Sequence, residues 1–409
     1  MKFCELTESE FRTFSSTHPL TSYLQTPELA KSKTEDGWKY YYVGVKKDEK
    51  IVCATLLLEW NGRFFKSFSS PRGYLIDFRD KELLAFFTKG IKKFIKSKKG
   101  AFLNIEPKIL YKERDSEGKI IENGFDNTDI YSNLIKTGYI HNGFYLELDS
   151  RKQVRWAYVL NLKNKSEDEI FNGFKSTTRN SIRKAIKYGV KVRELEFEEL
   201  AIFKKMVDDS GAVKGFFKPE LSYYEKMYRI FKPLNQICFL IAELNVEDYI
   251  ANLEREIEEY KNKIANLKDK AISKKTEYEV QINNLNKKLD EIKEKIPNSA
   301  TNLVLAGGMF IEYGKETIYA FSGMLNEFKF FQAQYLIQWE IIKKSLKRNC
   351  DIYNFYGITG DLRPENPQYG VYEFKKGFGG NVIEYLGDFD LVVSPVKYAL
   401  RKLLKKFER

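Results

Sequence analysis

Two consecutive heptad patterns constrain what this chain can fold into more than any other feature. Between Asn245 and Pro297, apolar residues recur at alternating intervals of three and four positions, interrupted by a polar stretch around Asp269 to Thr276. A pattern of this kind places one apolar seam along each of two helices. The first seam contains Ile250, Leu253, Ile257, Tyr260, Ile264 and Leu267, and the second contains Tyr278, Ile282, Leu285, Leu289, Ile292 and Ile296.

The two seams are best satisfied by folding back on each other. Helices of about twenty residues then give an antiparallel hairpin roughly 30 Å long, at about 1.5 Å per residue. A dimerisation helix is the alternative. The hairpin is favoured because strand-like segments lie on both sides, at 237–242 and 303–311. Residues 246–297, called the arm below, are therefore predicted to be inserted within one domain and to reach for a large partner.

Composition excludes several classes of protein. With 409 residues, 43% hydrophobic and 31% charged, the chain has a globular composition and is long enough for two domains. Residues 1–14 lack the basic and apolar segments of a secretion signal, and no apolar run is long enough to span a membrane. The four cysteines lack metal-ligand or pairing spacing and fit free thiols in a reducing cytoplasm. With only two histidines, a histidine metal cluster or triad is not expected.

The net charge of +12 indicates a polyanionic partner or an anionic membrane surface. Within the arm, residues 248–296 carry as many acidic as basic residues, so the excess lies on the remainder of the chain, in clusters at 89–99, 179–193 and 397–409. Solvated helix faces are the alternative for each cluster. The last cluster also has apolar residues at helical spacing opposite its lysines. This tail is expected either to lie on an anionic membrane or to pack on the body of the protein.

The two halves of the chain show the same order of patterns. A hairpin of strands, at 40–45 with 51–58 and at 303–313 with 317–321, precedes a helix and a further strand in each half. Repetition of this order predicts two similar α/β domains of mixed sheet. We expect the first domain to comprise residues 1–150, completed by the C-terminal segment 388–409. The second comprises residues 151–387 and contains the arm.

Several short strings occur in the order in which they occur in one known family. They are Leu24-Gln25-Thr26, Pro71-Arg72-Gly73 with Ile76-Asp77, Ile105-Glu106-Pro107, Gly189-Val190-Lys191-Val192, Gln338-Trp339-Glu340, Asn354-Phe355-Tyr356-Gly357, Phe374-Lys375-Lys376-Gly377 and Glu384-Tyr385-Leu386-Gly387. Together with the arm, they resemble the Fem/MurM family of peptidoglycan bridge-forming aminoacyltransferases. The resemblance is to the FemA/MurM-like branch, which carries a coiled-coil arm.

The resemblance implies two domains of the GNAT acyltransferase fold in a cytoplasmic enzyme peripheral to the membrane. It implies an aminoacyl-tRNA donor and a muropeptide acceptor, either lipid II or a UDP-linked precursor, with no cofactor and no metal. The acceptor group would be the lysine side-chain amine of the stem peptide, or a bridge residue already attached to it. The sequence agrees that acyl-CoA is not the donor. A loop that binds pyrophosphate at a helix N-terminus is not evident in the second half, where Gly357-Ile358-Thr359-Gly360 is followed by Asp361.

Aminoacyl transfer from a tRNA ester to an amine proceeds through a tetrahedral oxyanion. A positive charge or hydrogen-bond donor at that oxyanion, with alignment of the two substrates, supplies most of the catalysis. The resemblance indicates Lys375 for this role, because the pair Phe374-Lys375 matches the family dipeptide. The alternative is a surface lysine in a basic run, where Lys376 is the neighbouring candidate.

Four further residues are implied as substrate-binding. Lys33 matches a lysine that holds precursor phosphates, with Lys31 as a rival. Lys218 stands where the family has an arginine ahead of a Tyr-Tyr pair, here Tyr223-Tyr224, and lacks the bidentate fork of arginine. Glu106 matches a carboxylate that orients the acceptor amine, although a plain ion pair or a helix cap is also open.

The basic string at 176–184 predicts a helix start suited to tRNA phosphates, through Arg179, Arg183 and Lys184. A solvated helix face is the alternative. The arm has the form of a tRNA-binding helical hairpin, but its residues 248–296 carry no net charge. Its tip offers Lys268, Lys270, Lys274 and Lys275 near Asp269, and a protein partner for the arm stays open.

The function predicted from these residues is aminoacyl-tRNA-dependent transfer to a peptidoglycan precursor. One rival is a GNAT-like transferase that aminoacylates protein N-termini and needs neither Lys33 nor Lys218. Another is a non-catalytic tRNA-binding or scaffold protein, in which Lys375 has no role.

Overall fold

The architecture is that of two seven-stranded mixed sheets with helices on their faces, plus a long helical hairpin. The computed structural model describes residues 1–149, 152–210, 218–267, 272–296 and 302–407, with side chains through residue 404. The predicted fold class, two α/β units of mixed sheet with an antiparallel hairpin inserted in the second, is confirmed. The predicted boundary at 150/151 lies outside the described residues, as do Lys268, Asp269 and Lys270.

The strands follow the chain in order. They are β1 (Lys2–Glu5), β2 (Lys39–Lys47), β3 (Lys50–Asn61), β4 (Lys66–Arg72), β5 (Gly100–Pro107), β6 (Tyr139–His141), β7 (Trp156–Asn161), β8 (Lys191–Glu194), β9 (Ile237–Asn245), β10 (Asn302–Tyr313), β11 (Glu316–Met324), β12 (Ile352–Gly357), β13 (Asn381–Glu384) and β14 (Phe389–Val392).

The α-helices are interspersed among them. They are α1 (Glu8–Thr17), α2 (Pro27–Glu35), α3 (Lys81–Ser97), α4 (Thr128–Lys136), α5 (Glu167–Gly173), α6 (Ser176–Lys187), α7 (Leu200–Asp209), α8 (Leu221–Phe231), α9 (Val246–Ala265), α10 (Ile272–Lys295), α11 (Ala333–Lys347), α12 (Tyr369–Lys376) and α13 (Pro395–Phe407). Within the described residues, no helix combines the length and the apolar content needed to cross a bilayer.

The two sheets have the same strand order and pairing. The first runs β1-β2-β3-β4-β5-β14-β6, and the second, taken in the matching direction, runs β8-β9-β10-β11-β12-β7-β13. In each, the fourth and fifth strands are parallel, β4 with β5 and β11 with β12, and every other neighbour is antiparallel. The repeat predicted from the sequence is therefore present in the structure as two sheets of the same topology.

The correspondence of the predicted hairpins is shifted by one strand. The counterpart of β2–β3 is β9–β10, and the sequence reading omitted β4, which pairs with β5. β2 and β3 are joined by Asp48 and Glu49, both with positive φ (50° and 60°), as a tight two-residue hairpin turn requires. At the same place in the second sheet the arm intervenes between Asn245 and its pairing partner Asn302. The arm thus replaces a hairpin turn.

One strand of the first sheet comes from the far end of the chain. β14 follows β13 in the chain but lies between β5 and β6. The second sheet is built from the consecutive strands β7 to β13, with β7 between β12 and β13. Because β14 lies inside its sheet, the first sheet is incomplete without a segment that follows the whole second sheet in the chain.

The helices bury both faces of each sheet. In the second half, α5, α6 and α11 share one core with the base of the arm, while α7 and α8 cover the opposite face. Tyr249 of α9 is buried against Tyr188 and Phe331, with ring centroids 5.7 and 5.1 Å away. Farther out, Leu285 and Ile292 of α10 are buried in the seam, as the heptads predict. The arm is thus rooted in the core of the second sheet.

Candidate functional site

The site lies where the two halves meet, at the carboxyl ends of the parallel strands β4 and β5. Their paired register sets Pro71 opposite Glu106 and Arg72 opposite Pro107. Polar side chains at this edge are faced by residues from β12 and α12 of the other half. Parallel strands bring the residues at their carboxyl ends to one edge of a sheet, which is a common place for a binding site.

Lys375 is buried at this junction, although it carries an amine. It lies in the last turn of α12, and its Nζ donates hydrogen bonds to the carbonyl oxygens of Gly357 (2.7 Å) and Tyr356 (3.3 Å). Burial lowers the pKa of Lys375 to about 7. The amine is therefore held at the end of β12 in an environment where it gains and loses its proton near neutrality.

The backbone of β12 is distorted where it meets this lysine. The pairing of β12 with β7 shifts register between Asn354 and Gly357, and Tyr356 has a positive φ of 64°. A bulky residue in this conformation is strained and is retained mainly at functional sites. The Asn354 side chain supports the turn, because its Oδ1 accepts a hydrogen bond from the backbone N–H of Tyr356 (2.8 Å). The distortion is associated with the two carbonyls that bind Lys375.

A chain of hydrogen bonds connects Lys375 with Glu106. The hydroxyl of Tyr356 donates to Gln153 Oε1 (3.2 Å), and the backbone N–H of Gln153 donates to Glu106 Oε1 (2.7 Å). Glu106 is buried, and burial raises its pKa to about 7, against the opposing effects of the Gln153 N–H and of Arg72. An amine and a carboxyl that both titrate near neutrality thus belong to one network that spans the two halves.

Arg72 is a central cation of this junction. It is buried, has a positive φ of 54°, and donates from Nη2 to the carbonyl oxygen of Val154 (2.7 Å). Its guanidinium also lies 3.8 Å from the centroid of the Tyr385 ring. These contacts fix Arg72 between the end of β4 and two segments of the other half. Glu106, Gln153, Tyr356, Lys375, Arg72 and Tyr385 are called the junction cluster below.

A second network ties the halves together beside the cluster. Lys108 donates to Glu316 Oε2 (2.6 Å) and to the carbonyl oxygen of Thr21 (2.9 Å), and Asn354 Nδ2 donates to Glu316 Oε1 (2.7 Å). Burial alone would raise the pKa of Glu316, but the Lys108 ammonium and the Asn354 amide lower it below its usual value. Glu316 therefore stays ionised, and its ion pair holds the first sheet against the second.

Phe374, predicted beside Lys375, faces the core and does not join the cluster. Its ring packs on Tyr335 (4.9 Å between centroids) and on Phe378 (5.4 Å). Phe374 thus fixes the roll of α12 and with it the position of the lysine. Lys376 points elsewhere and pairs with Glu117 (2.7 Å) and Glu373 (3.3 Å).

Lys33 and Tyr223 lie on neighbouring helices of opposite halves, α2 and α8. Lys33 Nζ is 3.4 Å from Asp36, and Asp36 also pairs with Lys226 of α8. Tyr223 is half-buried one turn before Lys226. Burial raises its pKa, and the nearby Tyr356 and Asp36 add to the effect. These residues line the same junction on the side of α2 and α8.

Lys218 and Lys31 are separate from this group. Lys218 is exposed and donates to the carbonyl oxygen of Asp208 at the end of α7 (3.0 Å), while Lys31 pairs with Glu8 (3.2 Å) on the surface. Neither contact links these lysines to the junction cluster.

The predicted tRNA-binding residues lie on α6, whose first turn adjoins α12. The backbone N–H of Lys175 donates to the carbonyl oxygen of Gly377 (2.8 Å), so the start of α6 abuts the end of the helix that carries Lys375. Arg179 donates to the carbonyl oxygens of Asn172 (2.8 Å) and Phe174, which end α5. Arg183 and Lys184 are exposed and rest above the rings of Phe171 and Tyr188. The Arg179 side chain is thus bound to the end of α5, whereas the charged groups of Arg183 and Lys184 are exposed to solvent.

Six residues of this region were not predicted from the sequence to belong to the site, namely Arg72, Gln153, Tyr356, Tyr385, Lys108 and Glu316. Three of these residues occur in the short strings quoted above, so order along the chain was a signal that pointed to them. Gln153 and Lys108 carried no signal. By contrast, the string at 24–26 is structural, because Gln25 binds Pro71, Leu56 and Ser70 and so joins the segment before α2 to β3 and β4.

Metal binding finds no support in the part of the chain that the structure describes, where no group of three His, Cys, Asp or Glu side chains comes together as ligands would.

Comparisons with known proteins match this chain over nearly its whole length. The family model described as "FemAB family" matches residues 6–406. The aminoacyltransferase FemA of Staphylococcus epidermidis is 32% identical over 421 residues, covering 100% of both chains. The aminoacyltransferase FemA of Staphylococcus aureus is 32% identical over 418 residues, covering 99% of both chains.

Two solved structures show the same fold. The crystal structure of FemX matches with a TM-score of 0.78 and 23% identity, covering 98% of this chain and 99% of that one. A tandem GNAT protein from the clavulanic acid biosynthesis pathway matches with a TM-score of 0.50 and 8% identity, covering 96% of this chain and 99% of that one. The prediction of two GNAT-like units is therefore confirmed. On these matches, which extend over nearly its whole length, the chain belongs to the FemAB family and is an aminoacyltransferase.

Proposed function

We propose that this enzyme transfers an aminoacyl group from a tRNA ester to an amine of a peptidoglycan precursor. The acceptor is the lysine side chain of the stem peptide, or a bridge residue already on it, in lipid II or a UDP-linked muropeptide. The observation that carries the proposal is the buried Lys375 at the end of β12, joined to Glu106 through Tyr356 and Gln153.

Lys375 supplies the positive charge that the reaction needs. A charged ammonium has three donors, and two of them bind the carbonyl oxygens of Tyr356 and Gly357. The third is available to the carbonyl oxygen of the aminoacyl ester as it becomes an oxyanion. Such a donor stabilises the tetrahedral intermediate more strongly in a site shielded from water than in bulk solvent. The difference is several kcal/mol.

Glu106 supplies the base. The acceptor amine enters the reaction as an ammonium in neutral solution and has to lose a proton before it attacks. A carboxylate whose pKa is about 7 accepts that proton more readily than one with an ordinary pKa. Arg72 and the Gln153 N–H hold the carboxylate in place while the amine approaches.

The two large substrates approach from different sides in this proposal. Lys33 and Tyr223 lie on the side of α2 and α8. There Lys33 releases its ion-pair partner Asp36 and binds a phosphate of the acceptor instead. Lys218 adds positive charge to the surface beside the end of α7. Arg183 and Lys184 bind tRNA phosphates on α6, and Arg179 positions the start of that helix. The reaction takes place in the cytoplasm, at the inner face of the membrane when the acceptor is lipid-linked.

The test is transfer of radiolabelled amino acid from a pool of charged tRNA to purified acceptors. Each amino acid is supplied in turn, with lipid II and with the UDP-linked muropeptide, both carrying a lysine stem peptide. Label in one acceptor with one or two amino acids supports the proposal and identifies the donor. Label on a protein N-terminus instead would indicate the protein transferase. If no acceptor is labelled while charged tRNA is bound, the catalytic assignment of Lys375 fails.

A further inference from the structure

The C-terminal helix α13 is oriented with its apolar stripe toward solvent. Val396, Leu400 and Leu403 lie on one face of the helix and are 82%, 39% and 55% exposed. The face that packs on the first sheet carries Tyr398, which is buried, and Arg401. This is the reverse of an ordinary surface helix, which buries its apolar residues and exposes its charges.

The reversed orientation is fixed by an internal ion pair. Arg401 Nη1 is 2.7 Å from Oδ2 of Asp390, which is buried in β14, and the Tyr398 hydroxyl donates to the same oxygen (2.8 Å). The guanidinium of Arg401 also lies 3.9 Å from the centroid of the Phe102 ring. Turning the leucines inward would leave a buried carboxylate without its cation, which is costly. The outward stripe is therefore a stable property of the fold.

A second apolar element lies beside the stripe. Phe65, in the hairpin between β3 and β4, packs on the same Phe102 ring as Tyr398, with centroids 6.3 and 5.7 Å from it. At the tip of that hairpin Phe64 is 57% exposed, and near the end of β3 Trp60 is 41% exposed. The stripe and the hairpin tip together are called the apolar face below.

The charges around the apolar face are positive. Lys397 donates to the carbonyl oxygen of Lys99 (3.3 Å), which brings the end of α3 next to the start of α13. Exposed cations at this border come from α13, from α3 and the residues after it, and from the hairpin, namely Lys402, Lys96, Lys99 and Arg63. The neighbouring acids Glu59 and Asp390 are buried and paired. An outward apolar stripe bordered by cations is the arrangement by which a helix lies in the interface of an anionic bilayer.

We propose that the apolar face binds the surface of an anionic lipid bilayer. Val396, Leu400, Leu403 and Phe64 enter the boundary of the acyl chains, and the bordering cations contact lipid headgroups. The choice of a bilayer as the occupant rests on the charge of the border and on the lipid-linked acceptor of the proposed function. Bound in this way, the enzyme would receive an acceptor that arrives in the plane of the membrane.

The experiment is sedimentation of the full-length protein with vesicles, without tRNA or acceptor. Vesicles of phosphatidylglycerol and phosphatidylcholine are compared with vesicles of phosphatidylcholine alone. The variant Leu400→Gln/Leu403→Gln is expected to lower the partition coefficient on anionic vesicles by about tenfold or more. Lys96→Gln/Lys402→Gln is expected to lower it on anionic vesicles and to leave the neutral vesicles unaffected.

The matched control removes apolar surface elsewhere. Ile272 and Val280 of α10 are 72% and 50% exposed, and Ile272→Gln/Val280→Gln should leave vesicle binding unchanged. Thermal unfolding checks that each variant is folded. Wild type that stays in the supernatant with anionic vesicles overturns the proposal. So does a wild-type dimer that the Leu400→Gln/Leu403→Gln change dissociates, because the occupant is then a second copy of the chain.

Activity separates this inference from the proposed function. Leu400→Gln/Leu403→Gln should retain transfer to the UDP-linked muropeptide, which is water-soluble, and lose transfer to lipid II in vesicles. Vesicle binding without transfer to any acceptor would overturn the proposed function alone. Transfer to the soluble acceptor without vesicle binding would overturn the membrane inference alone.

Discussion

Lys375 and Glu106 show how burial brings the pKa values of two ordinary side chains together. Burial destabilises the charged form of each, so the pKa of the lysine falls and the pKa of the glutamate rises until both are about 7. The lysine is charged below this value and the glutamate is charged above it. A reaction that needs both charges therefore has its optimum near neutrality and a bell-shaped dependence on pH.

Replacement of Lys375 by Met should abolish most of the transfer activity and keep tRNA binding. Loss of one donor to an oxyanion lowers kcat by about 10²- to 10³-fold. The matched control is Lys376→Met, because Lys376 is next in the chain but pairs with Glu117 and Glu373 outside the cluster. Single-turnover transfer from charged tRNA measures the effect. Equal losses in both variants would contradict the assignment of Lys375.

Glu106→Gln should change how stability depends on pH. The pKa of Glu106 is raised from 4.5 to about 7 in the folded protein, so folding takes up a proton between these two values. Its contribution to stability is complete below pH 4.5 and is lost as pH rises through 7. The variant lacks this loss, so its stability relative to wild type should rise by on the order of 3 kcal/mol across that range.

Urea unfolding at pH 5 and pH 7.5 measures that difference. Glu117→Gln is the control, since Glu117 is exposed and the same change there removes a carboxylate on the surface. A difference between Glu106→Gln and wild type that does not vary with pH would show that Glu106 keeps an ordinary pKa.

The sequence pointed to residues of the junction cluster where family strings existed and not where only folding creates the contact. Lys375 and Glu106 occur in such strings. Gln153 joins them only because a segment between the two sheets passes their edge, and nothing in its neighbourhood along the chain indicates that position. Arg72 was visible as part of a string, but its left-handed backbone and its contact with Tyr385 depend on the other half.

Among the secondary-structure elements, the arm was the easiest to predict and β4 the hardest. The arm pairs its own residues over two long helices, so a local heptad pattern contains its whole packing. β4 carries Ser67, Ser69, Ser70 and Pro71 and lacks the apolar alternation of a strand, yet most of its later residues are buried between β3 and β5. β4 is therefore a strand because it pairs with β3 and β5, and its own sequence does not predict it.

The base of the arm should matter for stability, and its outer part should not. Tyr249→Ala removes a buried ring that packs on Tyr188 and Phe331 and should cost about 3 kcal/mol or more. Tyr260→Ala removes a half-buried ring whose centroid is 5.5 Å from that of Tyr278, and should cost about 1 kcal/mol or less. Denaturant unfolding compares the two. Equal costs would mean that the hairpin unfolds together with the sheet along its whole length.

At the scale of the whole molecule, the return of β14 to the first sheet couples the two ends of the chain. β14 follows the second sheet in the chain but lies between β5 and β6 of the first. No local pattern assigns a strand to one sheet or the other, since the same burial alternation suits both. For this reason the place of β14 could not be derived from strand patterns, although residues 388–409 were expected to complete the first domain.

Because β14 completes the first sheet, shortening the chain at its end should disrupt its beginning. A chain ending at Gly387 lacks β14, which leaves β5 and β6 without their shared neighbour and removes Phe389 and Leu391 from the core of the first sheet. We expect the first sheet to unfold while the second, which keeps β7 and β13, remains folded. The calorimetric enthalpy of unfolding should then fall by roughly half, since this enthalpy scales with the number of folded residues.

A chain ending at Ser394 is the control. It keeps β14 and loses only α13, so it should unfold in one transition with a moderately lower Tm, because Asp390 loses its partners Tyr398 and Arg401. Full enthalpy in the chain that ends at Gly387 would show that the first sheet closes without β14. In that case the halves would be independent domains, and the junction cluster would be held only by the contacts between them, such as Lys108 with Glu316 and Arg72 with Val154. If the enthalpy falls as expected, β14, which follows the second sheet in the chain and completes the first, also fixes the relative position of Glu106 and Lys375.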